Sequence, residues 1–285
     1  MFQHHPDHSL LFLRDDLNAL TDVLWRIAAA IADDQPRYAT YDQNGYRSKL
    51  LGYTLTHDDT LSSSDAAYPD LGAACVAYLQ TLNGPDRLAA ALPLSVQEDL
   101  VVMRHTAAGP NNDEAEVLLV AIPSHWDPAE KLGLSFYDIH VPVGDNARLL
   151  RASPNLMAAM IEKGPFVRYN WSLSSVSQLC QNPVVLDEYG HTLANPALAA
   201  LSPREMVEHI QFRVERQTLL NFPDVKRVLF AIRVFQRPLP QALTSDEHAH
   251  TLAEALASMT PGHLAYRSTA GIIDKLVEGV RTYRQ

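Results

Sequence analysis

His209-Ile-Gln-Phe-Arg-Val-Glu-Arg-Gln-Thr-Leu-Leu220 and Val225-Lys-Arg-Val-Leu-Phe-Ala-Ile-Arg-Val-Phe235 flank the short connection Asn221-Phe-Pro-Asp224. Both flanks are rich in Val, Ile, Phe and Thr, residues that suit a pleated surface. The connection holds Asn, Pro and Asp, which favour turns. The spacing predicts two long strands, 209–220 and 225–235, joined as an antiparallel hairpin. Upstream, Phe166 to Leu173 alternates, with Val167, Tyr169, Trp171 and Leu173 on one face and Arg168 and Asn170 on the other. Leu100-Val-Val-Met103 and Val117-Leu-Leu-Val-Ala-Ile122 are apolar runs separated by Gly109-Pro-Asn-Asn-Asp113. They predict a second hairpin.

Short helices are expected between the hairpins. Asp127-Pro-Ala-Glu130 offers an N-cap, a proline at the first helical position and a glutamate at the third. Gly133 stops that helix after about two turns. Ser135-Phe-Tyr-Asp138 starts another, carrying Ile139 and His140, and Pro142 limits it. Ser153-Pro154 predicts a third helix, with Leu156, Met157, Met160 and Ile161, ended by Gly164.

The N-terminal region reads as helical. Asp15 or Asp16 caps a helix with Leu17, Leu20, Leu24, Ile27 and Ile31 on one side, and a second helix from about Asp70 aligns Leu71, Cys75, Tyr78 and Leu82. The polar stretch Gln35 to Ser64 predicts irregular structure. Helices near Ser245–Met259 and Thr269–Tyr283 end the chain. The fold class expected is α+β, an antiparallel sheet with short helices on one face and a pocket between the layers. The 285 residues are assigned to one domain, with a helical region 1–95, a sheet core 96–242 and C-terminal helices 243–285.

Composition narrows the function. Net charge is −10 and pI about 5.6, which lacks the basic footprint of a nucleic-acid or anionic-membrane binder. The apolar run Leu71 to Leu79 is too short for a membrane helix, and Met1-Phe-Gln-His-His-Pro-Asp-His8 has no basic n-region. A soluble cytoplasmic protein is expected. Cys75 and Cys180 cannot build a disulfide framework or a four-thiolate site, whereas 12 histidines make imidazole the available metal ligand. No H-E-x-x-H, Gly-rich dinucleotide loop, P-loop or G-x-S-x-G occurs.

Several residues are candidates for chemistry, each with a plainer alternative. His4, His5 and His8 suit a solvated tail better than a metal site. His125 and His140 bracket the short helices, as ligands or as satisfied polar histidines. Arg216 interrupts the face formed by Ile210, Phe212, Val214, Thr218 and Leu220. A buried guanidinium needs an anion, here Glu98, Asp99, or the carboxylate of a cofactor or substrate. Arg168 and Asn170 form a solvated edge or the polar wall of a pocket.

Five segments in one order then carry a resemblance: Gln97-Glu98-Asp99-Leu100, Pro123-Ser-His-Trp126 with Glu130-Lys131-Leu-Gly133, Ile139-His140-Val-Pro142-Val143, Arg168-Tyr-Asn170-Trp171, and Val214-Glu-Arg-Gln-Thr-Leu219. Over residues 97–236 the chain resembles the haem-dependent oxidative N-demethylase alpha-subunit family. The resemblance implies a PAS-like fold, b-type haem and oxidation of a small amine such as dimethylamine. It matches His140 to the axial iron ligand. With it, Arg168, Arg216, Trp126 and Lys131 become cofactor-binding candidates, and Glu215, Arg216 and Asn170 catalytic ones. The family pattern continues Pro-Val-Pro where this chain has Pro142-Val143-Gly144. Because the chain carries no flavin, nicotinamide or iron–sulfur motif, a flavin/iron–sulfur reductase is the expected electron donor. The rival expectations are a haem-binding PAS sensor or carrier without turnover, and a PAS-like module for another organic ligand.

Overall fold

A computed structural model describes residues 11–13, 17–106, 112–183 and 196–283. His4, His5, His8, the caps Asp15 and Asp16, and most of the turn 109–113 lie outside these residues.

The architecture is α+β with two antiparallel sheets. The larger sheet runs β1 (Leu11–Leu13), β7 (Asp113–Leu119), β6 (Glu98–His105), β10 (Arg227–Pro238), β9 (Gln211–Phe222) and β8 (Phe166–Ser174), in that spatial order. Both predicted hairpins are present, β6 with β7 and β9 with β10. The β9 strand begins at Gln211, because His209 closes the short helix Pro203–His209 instead of opening a strand.

Side chains alternate across the two faces of this sheet. One face carries Leu100, Val102, Val117, Leu119, Leu229 and Ala231, and packs on the N-terminal region. There α1 (Leu17–Asp34) buries Leu20, Val23, Leu24, Ile27 and Ile31, a 3.6-residue stripe. The C-terminal helices cover the β8–β9 end of this face through Leu173 and Ile210, joined by Leu256 and Leu276. The opposite face presents Val101, Met103, Leu118, Leu219, Val228 and Phe230 to a layer with Phe136, Met157, Met160 and Ile161. This second face positions the candidate site.

Four sequence expectations need correction. Gln35 to Ser64 is not irregular. It forms a four-stranded meander, β2 (Ala39–Asp42), β3 (Gly45–Ser48), β4 (Tyr53–Leu55) and β5 (Leu61–Ser63), so the region 1–95 is not simply helical. Strands of three or four residues show too few inward positions for a period to be visible. Tyr46 and Tyr53 reach across them, the latter donating to Ala91 O at 2.6 Å. Gly45 has φ +129°, and a Cβ there would lie 2.2 Å from Leu55 O.

In α2 (Pro69–Gln80) the inward face is Gly72, Cys75, Val76 and Leu79, while Leu71 and Tyr78 are exposed. Close approach of Gly72 to Leu51 O, which leaves no room for a side chain, rotates the helix that way. The helix expected from Ser153-Pro154 begins at Ala147, runs to Lys163, and holds Pro154 inside. Burial of Met157, Met160 and Ile161 outweighs the missing amide. Farther up, the helix expected over 127–133 is a single 3-10 turn, Pro128–Lys131.

Candidate functional site

His140 sits at the end of α4 (Phe136–His140), a one-turn helix held from several sides. Ser135 caps it, its Oγ accepting from Asp138 N at 3.0 Å. Asp113 on β7 accepts from Phe136 N at 2.6 Å, which ties the helix to the sheet. His140 Nδ1 lies 2.7 Å from Phe136 O, and its ring packs on the Phe136 ring at 4.2 Å between centroids. A carbonyl can only accept, so Nδ1 carries the proton and Nε2 keeps its lone pair. Among the described residues Nε2 has no hydrogen-bond partner. Burial lowers the His140 pKa, and the nearby charges of Arg168 and Lys131 lower it further. The neutral imidazole, with Nε2 available as an acceptor, is therefore favoured.

Facing this helix is a polar row. Arg168 and Asn170 on β8 stand opposite Gln217 and Glu215 on β9, and Ser172 stands opposite Arg213. Leu219 continues the row into the cluster with Phe136 and Met157, so the polar row and His140 share one side of the sheet. Arg168 is wetted, yet desolvation lowers its pKa. Tyr266 is 51 % exposed, yet desolvation raises its pKa. Both side chains are thus partly wetted and partly crowded by neighbours. On the same side Trp126, Leu132 and Ile139 are each partly buried against the Phe136–Met157 cluster. Lys131 ends the 3-10 turn beside them.

Of the sequence candidates, His140, Lys131, Arg168, Asn170, Glu215 and Trp126 belong to this side. Arg216 does not. It alternates onto the other face with Leu220 and Phe222, and its Nη2 lies 3.3 Å from Asp34 Oδ1 at the end of α1. Its anion is neither Glu98 nor Asp99 and is not a cofactor carboxylate. Glu98 lies 3.6 Å from Arg233, and Asp99 accepts from Ala121 N and Ile122 N at 2.7 and 3.0 Å. Arg216 is therefore withdrawn as a catalytic and cofactor-binding residue.

The fully buried guanidinium is instead Arg213, which sequence reasoning missed. Its Nε donates to Ser124 Oγ (2.9 Å), Nη1 to Leu179 O (2.9 Å) and Gln236 Oε1 (3.0 Å), and Nη2 to Ile122 O (3.0 Å). Gln217 was missed too. A signal existed: Gln211, Arg213, Glu215 and Gln217 are polar at four successive same-face positions of a strand that has neighbours on both sides. His125 lies on the loop that Arg213 and Asp99 hold. Its backbone has φ +61°, and its N–H donates to Gln181 O at 3.0 Å.

The loop after α4 packs against the C-terminal helices. Gly262 N donates to Asp145 Oδ2 at 3.1 Å, and a Cβ on Gly144 would lie 2.1 Å from Gly262 O. Gly144 is the position where the family pattern has proline, and here the bare backbone makes this approach possible. Gly144→Ala is expected to cost about 1–3 kcal/mol, as overpacking against backbone does. A thermal melt reads this directly, and an unchanged melting temperature would contradict the close contact.

The sequence model of the family described as "Haem-dependent oxidative N-demethylase, alpha subunit-like" matches residues 3–277. This chain belongs to that family. The match extends over the N-terminal region and the C-terminal helices, well beyond the segments 97–236 that carry the resemblance in the sequence. No curated protein matches the chain. No described helix is long and apolar enough to cross a membrane.

The donor set can be tested against haem, the group that the family name implies. Among the described residues no three His, Cys, Asp or Glu side chains cluster as a metal site. A porphyrin needs no such cluster, because it brings four nitrogens and asks the protein for one or two axial ligands. His140 offers one, with its other nitrogen held by a carbonyl, as metal-bound histidines usually are. Arg168 and Lys131 suit two carboxylates, and Trp126, Leu132 and Ile139 suit an apolar ring. The residues present fit haem.

Proposed function

We propose that this chain is the haem-carrying subunit of a monooxygenase that oxidises a small amine, with b-type haem held by His140. The observation that carries the reading is the His140 imidazole: neutral, with Nδ1 committed to Phe136 O, Nε2 uncommitted, and two cations beside it. In this reading residues 96–242 form a PAS-like core, 1–95 cap one sheet face, and 243–285 pack at its end, all as one domain. Haem held there supplies redox and oxygen-activating chemistry that side chains lack.

The chain's own residues then bind and orient. Trp126, Leu132 and Ile139 exclude water from the ring. Arg168 and Lys131 pair with the propionates, which supply two negative charges where the pocket otherwise has an excess of positive ones. Asn170, across from Glu215 in the strand register, offers an amide to the substrate nitrogen. Glu215 supplies the negative charge that a protonated amine needs nearby.

Electrons come from a flavin/iron–sulfur partner, which the net charge of −10 can steer through a basic patch. The deciding experiment is a visible spectrum of the purified protein supplied with haem, followed by turnover assays. A stoichiometric Soret band is expected. Oxygen-dependent loss of a secondary amine should require an added reductase and should slow as salt rises. No Soret band overturns the haem reading. Haem without turnover, with any reductase tested, leaves a carrier or sensor. Steady NADPH oxidation coupled to amine loss by the single chain overturns the need for a partner.

A further inference from the structure

A continuous hydrogen-bond chain leads from the buried interior to the haem-side cation. Arg213 Nε donates to Ser124 Oγ at 2.9 Å, and Ser124 Oγ donates to Glu215 Oε1 at 2.6 Å. Gln217 Nε2 donates to Glu215 Oε2 at 2.8 Å, and Arg168 Nε donates to Gln217 Oε1 at 2.6 Å. The direction of every link follows from chemistry. A guanidinium only donates, so Ser124 accepts from Arg213 and spends its one proton on Glu215. The carboxylate only accepts, so Gln217 must turn its amide nitrogen toward Glu215. Its carbonyl oxygen is then left for Arg168.

The start of this chain is rigid. Arg213 is fully buried with each of its nitrogens bonded, and Ser124 bridges to Gln181 through the backbone. The far end is open. Arg168 has committed Nε, and among the described residues its two terminal nitrogens have no hydrogen-bonded or ion-paired partner. Gln217 stands directly across the strand pair from Arg168, close enough to fix the guanidinium plane. The end of the fork, which can grip a carboxylate with two parallel bonds, is left uncommitted.

We infer that Gln217 is a positioning residue. It converts the fixed Arg213–Ser124–Glu215 anchor into a fixed orientation of Arg168, so that the free end of this guanidinium clamps a haem propionate. The inference rests on the haem reading, and it gives a role to a residue that the segment Val214–Leu219 contains but that charge alone does not single out. A point charge at position 168 is not sufficient, because the clamp depends on which edge of a planar group faces the ligand.

The test is a double-mutant cycle on haem-loaded protein, using Gln217→Met, Arg168→Met and the pair, with Arg168→Lys as an independent route to the same broken link. The readouts are the rate of haem transfer to excess apomyoglobin and the haem midpoint potential, with melting of the haem-free proteins as the control for folding. Gln217→Met should speed haem loss roughly ten-fold, the worth of a hydrogen bond to a charged group. It should also lower the potential, because a displaced cation no longer favours the reduced state. Adding Gln217→Met to Arg168→Met should change neither readout further. Arg168→Lys should lose haem as fast as Arg168→Met, although it keeps the charge. Wild-type retention in Gln217→Met, fully additive effects in the pair, or wild-type behaviour of Arg168→Lys each overturns the inference while the haem reading stands. Wild-type protein that takes up no haem overturns both.

Discussion

His140→Ala is expected to abolish stoichiometric haem binding, while His125→Ala leaves most of it. The ligating geometry at His140 is built by its own helix. Phe136 O holds Nδ1, the Phe136 ring fixes the imidazole plane, and Asn146 donates to the His140 carbonyl. In the proposed reading, removing the imidazole deletes the iron ligand that this side of the sheet offers. It leaves α4 anchored through Ser135 and Asp113, so loss of cofactor should not be loss of fold. His125 differs. It belongs to the loop gripped by Arg213 and Gln181, and burial together with the Arg213 charge keeps it neutral. A Soret titration of both variants decides the matter. A band that survives His140→Ala and disappears with His125→Ala reverses the ligand assignment.

Arg213→Met should be the most destabilising single change on the sheet, by about 3–5 kcal/mol, the cost of stranding buried charges and acceptors. Two carbonyls, Ser124 and Gln236 all lose their donor at once. Glu215 and Asp99 lose a cation that interacts with both. Asp99 is fully buried and its pKa is already pushed up to about 7 by desolvation, despite the two backbone amides and the Arg213 charge that oppose the shift. For a chain of this size such a cost lowers the melting temperature by roughly 10 °C. Arg216→Met is the internal control. Its pair with Asp34 is partly exposed, with side chains 25 % and 16 % accessible, and such pairs contribute about 1 kcal/mol or less. Equal melting temperatures for the two variants would show that Arg213 is not the buried anchor.

The contrast between these two arginines shows where sequence reading stopped. Both lie on β9, three positions apart and therefore on opposite faces, and the alternation was legible. The apolar set Ile210, Phe212, Val214, Thr218 and Leu220 made Arg216 look like the intruder in a buried face. The structure buries both faces of the strand. The even positions meet the N-terminal region and the C-terminal helices, where Asp34 waits for Arg216. The odd positions form the polar row, where full burial falls on Arg213. A period of two assigns residues to faces but carries no sign that says which face is drier.

The N-terminal region shows the same limit differently. The long helix over Leu17–Asp34 was visible because five apolar residues repeat at helical spacing. The meander from Ala39 to Ser63 was invisible, because its order comes from Tyr46 and Tyr53 packing under α3 (Gly84–Ser95) and from the backbone approach at Gly45.

By itself the sequence determined the α+β class, both hairpins, the helix that carries His140 and its cap, and the ordered motifs that mark the family. Those features are local: caps, turn residues and periodicity act within a few residues of one another. Only the tertiary structure decided which cation lies on the His140 side of the sheet and what orients it. Arg168, Gln217, Glu215, Ser124 and Arg213 come from three separate stretches of chain, and their bonds exist only once β8 lies against β9 and the loop after β7 folds over both. Burial and hydrogen-bond direction are properties of that assembled arrangement, and no spacing along the chain encodes them.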